Sequence, residues 1–110
     1  MGKIVHIVLW KLRRPSSSSS SSISGAEDVF AQAKSAIANL KNVPGPEQFQ
    51  LGPPLLVARA KGFDWGLYSV FASKEALQTY AVSDAHVKVV EEHVKPNVED
   101  VLAYDFELDQ

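Results

Sequence analysis

Residues 3–13 read KIVHIVLWKLR. In an extended chain, Ile4, His6, Val8, Trp10 and Leu12 fall on one side and Val5, Ile7 and Leu9 on the other. Both sides are mainly apolar, so a strand here must be covered on both faces. Helices can cover one face. The other requires a second sheet, from this chain or from another copy of it.

Next comes Pro15, then an unbroken serine run at 16–22 followed by Ile23 and Ser24. Such a tract buries too little apolar area to offset its ordering entropy, so 15–24 is expected to be a mobile loop. Ser24 or Gly25 opens a helix with Glu27 and Asp28 in its first turn, where the helix dipole favours negative charge. Ala26, Val29, Phe30, Ala33, Ile37 and Leu40 recur at helical spacing as one apolar stripe. Residues 42–46 end that helix in a Pro/Gly turn.

From 49 to 60 the chain is extended but irregular, because Pro53 and Pro54 belong to an edge or a bulge. Lys61 and Gly62 make a turn. Residues 64–72 form a strand with Trp65, Leu67, Ser69 and Phe71 on one face and Tyr68 and Val70 on the other. Ser73 is the N-cap of a helix running to about Val82. Ser83 and Asp84 restart a second helical piece over 85–95, which Pro96 terminates. Residues 101–108 alternate as a last strand, with Leu102, Tyr104, Phe106 and Leu108 on one side.

The order is β-α-β-β-α-β, an α+β chain of ferredoxin-like type with one four-stranded antiparallel sheet. Its helices cover a single face. The other carries either Trp65, Leu67 and Phe71 or Tyr68 and Val70, more apolar surface than a monomer leaves in water. Two copies pressed sheet to sheet remove that surface, so a two-fold homodimer is expected.

Composition narrows the function. The 110 residues make a single domain, 1–110, too short for separate cofactor and substrate modules. Eleven Lys and Arg against thirteen Asp and Glu leave a net charge of −2, without the basic excess of a nucleic-acid binder. The absence of cysteine excludes disulfides, cysteine zinc sites and thiol nucleophiles. The longest aliphatic or aromatic run, 7–10, falls far short of a membrane span, and no stretch reads as a secretory signal. A cytoplasmic protein with neither membrane nor nucleic-acid partner is the expectation. No Gly-rich phosphate loop or Gly-x-Ser-x-Gly elbow occurs, and no cofactor is implied.

The titratable candidates are few. His6 is a lone titratable ring on an apolar strand face, either a core histidine held neutral or a pocket residue. His86 opens the second helical piece, where it serves as a general base or as a packed cap. Tyr80 carries a phenol that can stabilise a developing oxyanion, or is a half-buried helix aromatic. His93 lies about two helical turns from His86, too far for one metal, so no metal site is expected. Trp10, Trp65 and Phe71 set the volume of any cavity and would contact a substrate.

Four stretches in combination carry a family resemblance: KIVHIVLWK at 3–11, GFDWGLYSVFAS at 62–73, LQTYAVSDAHVKVVE at 77–91 and VKPNVEDVLAYDFE at 94–107. Together they resemble the stress-responsive A/B barrel (Dabb) domain family, small dimeric α+β barrels. The best-understood chemistry in that family resembles the olivetolic acid cyclase type, aldol ring closure of a polyketide chain. Other members look like plant stress proteins with no settled reaction.

The resemblance implies that His6 lies in the cavity, that His86 is the catalytic base and that Tyr80 sits beside it. Here Asp84 replaces the proline of the family's Pro-Ala-His motif, and its carboxylate is expected to raise the proton affinity of His86. Trp65 stands where the cyclase type carries a histidine. A small apolar or carbonyl-rich ligand is therefore expected in a cavity lined by His6, Tyr80, His86 and Trp65. The competing expectation is a non-catalytic stress or structural protein whose histidines are core residues.

Overall fold

A computed structural model describes residues 2–13 and 31–108. The serine loop at 15–24 and the expected helix start lie outside the described residues. Strand β1 is Ile4–Leu12, and helix α1 is described over 31–37 before tightening into a 3₁₀ turn, Ala38–Asn42. Then come β2, Gln48–Gly52, β3, Trp65–Phe71, and α2, Lys74–Val82. Helix α3, Asp84–Val89, continues as a π turn, Val90–Val94, and a 3₁₀ turn, Lys95–Asn97, leading into β4, Val98–Glu107. The strands form one antiparallel sheet in the order β2-β3-β1-β4. This is the ferredoxin-like arrangement expected from the residue pattern.

Register decides which face each side chain occupies. Ile4, His6, Val8 and Trp10 stand opposite Phe71, Ser69, Leu67 and Trp65 on β3. This row lies under the helices, where Val8, Trp10, Leu12 and Leu67 pack with Ala33, Ile37, Leu40 and Val94. A second cluster joins Ile4, Phe71 and Tyr80 to Val43. The choice that sequence left open is thus settled: Trp65, Leu67 and Phe71 belong to the helix side. Tyr68 lies on the opposite face with Leu102, Tyr104 and Phe106 of β4, each between 42% and 63% exposed.

Several boundaries move. The last strand begins at Val98 rather than 101, because β4 pairs with β1 as far as Leu12↔Val98 through an irregularity at Lys11/Leu12. Pro96 lies within a 3₁₀ turn instead of ending a helix before it, since the first positions of a helical turn need no N–H donor. Asp64 precedes β3; its N–H donates to Trp10 O at 3.0 Å and its carboxylate accepts from Leu12 N at 2.8 Å. Ser73 caps α2 as expected, accepting from Ala76 N at 3.1 Å.

Phe71 is fully buried and touches both the strand and the helix layers. Phe71→Ala should cost about 3–5 kcal/mol of unfolding free energy, through lost burial and the cavity left behind. Urea denaturation measures it, and a loss below about 1 kcal/mol would contradict this packing.

Candidate functional site

Ser83 is the joint on which the site turns. Its hydroxyl donates to Tyr80 O at 2.9 Å and accepts from His86 N at 3.2 Å, closing α2 and capping α3 with one side chain. Tyr80 thus sits in the last turn of α2 and His86 in the first turn of α3. Their rings meet with centroids 4.4 Å apart at 50°. The Phe71 ring supports Tyr80 from behind at 4.8 Å. Gly45 closes the remaining side: at φ 140° it lies so near that a Cβ there would stand 2.9 Å from Tyr80 Cδ1.

His6 approaches from the sheet. It faces the helices from the middle of β1, and its Nδ1 lies 2.5 Å from Asp105 Oδ1, on the residue opposite it in β4. The edge of the Phe71 ring packs on it at 5.9 Å. Sequence reading missed Asp105. Alternation puts Asp105 on the side opposite Leu102, Tyr104 and Phe106, but only the β1–β4 register shows that this is the side of His6.

A cavity of about 260 Å³ lies between the sheet and the α3 segment, lined by His6, Tyr80 and His86 and otherwise mostly by apolar side chains, Trp10 among them. The structure therefore brings four of the six expected residues together. Trp65 and Phe71 do not line this cavity. Phe71 stands one sheet row away, behind the rings of His6 and Tyr80. Trp65 is at the start of β3, where it packs against the core and borders a separate cleft with Leu9, Gly52, Pro53 and Phe63. Its ring lies 4.8 Å below the Lys34 ammonium, and no described group accepts from its buried Nε1.

Two protonation states follow from the surroundings. Burial pushes the Tyr80 hydroxyl up to about 12, so it remains a donor at any physiological pH. Only 3% of Tyr80 is exposed, and its hydroxyl has no described protein partner. Burial also lowers the proton affinity of His86, the bond to Ala81 O raises it, and repulsion from His6 lowers it again, for a net fall. The expected upward push from Asp84 is not what happens: Asp84 is exposed to water, and burial dominates. His86 Nδ1 lies 3.1 Å from Ala81 O. In the neutral ring that nitrogen carries the proton, leaving the Nε2 lone pair as an acceptor.

Among the described residues no group of three or more His, Asp or Glu side chains is placed to hold a metal ion. No described helix is long and apolar enough to cross a membrane.

A ferredoxin-like sheet with a polar-tipped apolar cavity under its helices defines a class of small α+β barrel domains. The family model for the Stress responsive A/B Barrel Domain matches residues 4–108, and the chain belongs to that family. No curated protein sequence matches it significantly. Among solved structures it is similar to a Dabb family protein with a ferredoxin-like fold from Mesorhizobium loti, at 23% identity and TM-score 0.70 over 100% of both chains. It is similar to a dimeric ferredoxin-like protein from Thermobifida fusca, at 18% identity and TM-score 0.70 over 97% of this chain and 92% of that one. It also resembles a hydroxynitrile lyase from Passiflora edulis, at 20% identity and TM-score 0.74 over 99% of this chain and 95% of that one. Identities at this level establish the shared fold.

A lowered His86 value makes a linkage prediction. The unfolded chain takes up its proton near 6.5 and the folded chain only below that. This contribution to stability is present above 6.5 and is lost as pH falls through the window between the two values. NMR should show His86 titrating below 6.5, and His86→Gln should flatten the fall in Tm as pH drops from about 7 to about 5. A second outcome concerns Tyr80. Removing a buried hydroxyl that has no partner among the described residues, by Tyr80→Phe, should leave stability unchanged or raise it by about 1 kcal/mol, whereas loss of a hydrogen-bonded tyrosine lowers it.

Proposed function

We propose that this chain is a homodimeric enzyme of small carbonyl compounds, in which His86 takes a proton beside the carbonyl and Tyr80 hydrogen-bonds its oxygen. One observation carries this reading: the Tyr80 hydroxyl is buried without a described partner in the same cavity as His86. An unpaired buried hydroxyl costs about 1–3 kcal/mol, and a substrate oxygen would offset it. His86 in its neutral form presents Nε2 as a base. His6, oriented by Asp105, is a second donor or acceptor for the same oxygen.

Proton removal and oxygen stabilisation are the two operations of aldol ring closure, the polyketide cyclase-like reaction. They also suit the opening of a hydroxynitrile, and a hydroxynitrile lyase is what the Passiflora neighbour is named. A volume of about 260 Å³ falls just below the range of about 300–1,000 Å³ for ligand pockets, which favours a compact substrate.

The competing reading, a non-catalytic stress or structural protein, draws support from both histidines having Nδ1 partners and aromatic neighbours. It gives the Tyr80 hydroxyl no purpose.

The dimer rests on the exposed sheet face, where Tyr68, Leu102, Tyr104 and Phe106 are apolar and uncovered. Neighbours described as dimeric support it. Placing a charge there, as in the double variant Leu102→Asp and Tyr104→Asp, should convert the dimer to a monomer in analytical ultracentrifugation. A dimer that persists would move the interface elsewhere.

For activity, the protein should be screened against 1,3-dicarbonyl thioesters and cyanohydrins. His86→Ala should abolish turnover with an unchanged circular dichroism spectrum, and the acid limb of kcat/KM should fall below pH 6.5. A His86→Ala variant that still turns over removes this mechanism.

A further inference from the structure

The cavity has a charged residue at its rim, on the outer side of His86. A depression on the outer side of α3, lined by Ala81, Val87 and Glu91, shares three residues with the cavity: His86, Val90 and Lys95. These three side chains are the wall between the cavity and the surface. Among the described residues lining the cavity, Lys95 is the one that carries an ammonium group, and that group stands at the rim, mostly in water.

The local backbone explains how a lysine comes to line an apolar cavity. A uniform α-helix would place residue 95 above residue 91 and one position round from residue 90. The chain instead makes a π turn over Val90–Val94, in which Lys95 N–H donates to Val90 O. One residue is absorbed in that wider turn, so Lys95 comes into line with Val90 on the cavity side. Its ammonium reaches back to the Glu91 carboxylate. That pair is mostly in water, at 65% and 53% side-chain exposure, and an exposed pair of this kind is weak enough to be exchanged for another anion. Arg13 adds positive charge just beyond this turn, donating to Pro96 O in the 3₁₀ turn at 3.1 Å and to Val98 O at the start of β4 at 3.2 Å.

We infer that Lys95 is a specificity-determining residue that binds a carboxylate on the substrate, so that the ligands of this cavity are carbonyl compounds bearing an acid group. The inference rests on the proposed cavity chemistry and deepens it. The carbonyl meets Tyr80, the apolar body lies along Val90 and Val94, and the carboxylate takes the place of Glu91 beside Lys95. A single lysine next to a glutamate suits a singly charged group; a phosphate dianion would meet repulsion from Glu91 with one ammonium to offset it. No bond is made or broken at Lys95.

Hexanoate and hexanamide, nearly equal in shape and different in charge, separate the possibilities. Their Kd values are measured by NMR titration at pH 7.5, on the wild type, Lys95→Gln and Glu91→Gln, each checked for folding by circular dichroism. Hexanoate should bind the wild type about three- to fivefold tighter than hexanamide. Lys95→Gln should erase that preference without weakening hexanamide, and Glu91→Gln should enlarge it by removing the competing carboxylate. Equal binding of the two probes to the wild type overturns the role of Lys95 and leaves the cavity reading standing. A preference that survives in Lys95→Gln does the same. Binding of neither probe overturns both together.

Discussion

Strand β1 cannot be left uncovered on either side, and the rest of the molecule is arranged around that constraint. It lies inside the sheet between β3 and β4, so its backbone groups are paired on both edges. Its inward row is sealed by α1, its 3₁₀ extension and the end of the α3 segment. Its outward row lies on the face that also carries the partly exposed Tyr68, Leu102, Tyr104 and Phe106. One strand therefore generates both a core and an exposed apolar face. His6 stands in the inward row, which is why a polar ring enters the space beneath the helices at all.

The site depends on an interruption in the helical layer. One continuous helix from Lys74 to Val94 would carry residues 80 and 86 to different sides, because six residues span well over one and a half turns. The break at Ser83 resets the direction of the chain, and the same hydroxyl serves both helix ends. Phe71 and Gly45 then hold the Tyr80 ring while its hydroxyl has no partner among the described residues. A buried group held in place without a partner lowers stability, and such local inconsistencies concentrate where a protein binds something. The π turn is a second interruption, and it moves a lysine into line with the cavity wall.

Much of this could be read along the chain. Alternation at 3–13 and 64–72, the cap residues Ser73 and Ser83, and the glycine turn at 61–62 are local signals, and each element they imply is present, whereas Pro96 stands inside a 3₁₀ turn rather than after a helix. Alternation also separated the two rows of β4, without saying which of them faces the helices. Less legible were places where neighbouring strands decide the outcome: β4 begins at Val98 because β1 continues to pair with it. Asp105 was overlooked because its importance comes from the β1–β4 register, which puts it opposite His6 across 99 positions of sequence. Trp65 and Phe71 share a strand face with the site, yet one lies at the strand's end and the other behind the rings.

By itself, the sequence determined the order of elements, the apolar character of both β1 faces and the candidacy of His6, Tyr80 and His86, because periodicity and capping act over a few residues. Only the tertiary structure decided which of these groups share a cavity, which nitrogen of His86 is engaged and in which direction its proton affinity moves. Those outcomes depend on burial and on contacts between distant segments. Asp84 shows the difference: it is two positions from His86 in sequence, yet the proton affinity of that ring is set by burial, Ala81 and His6.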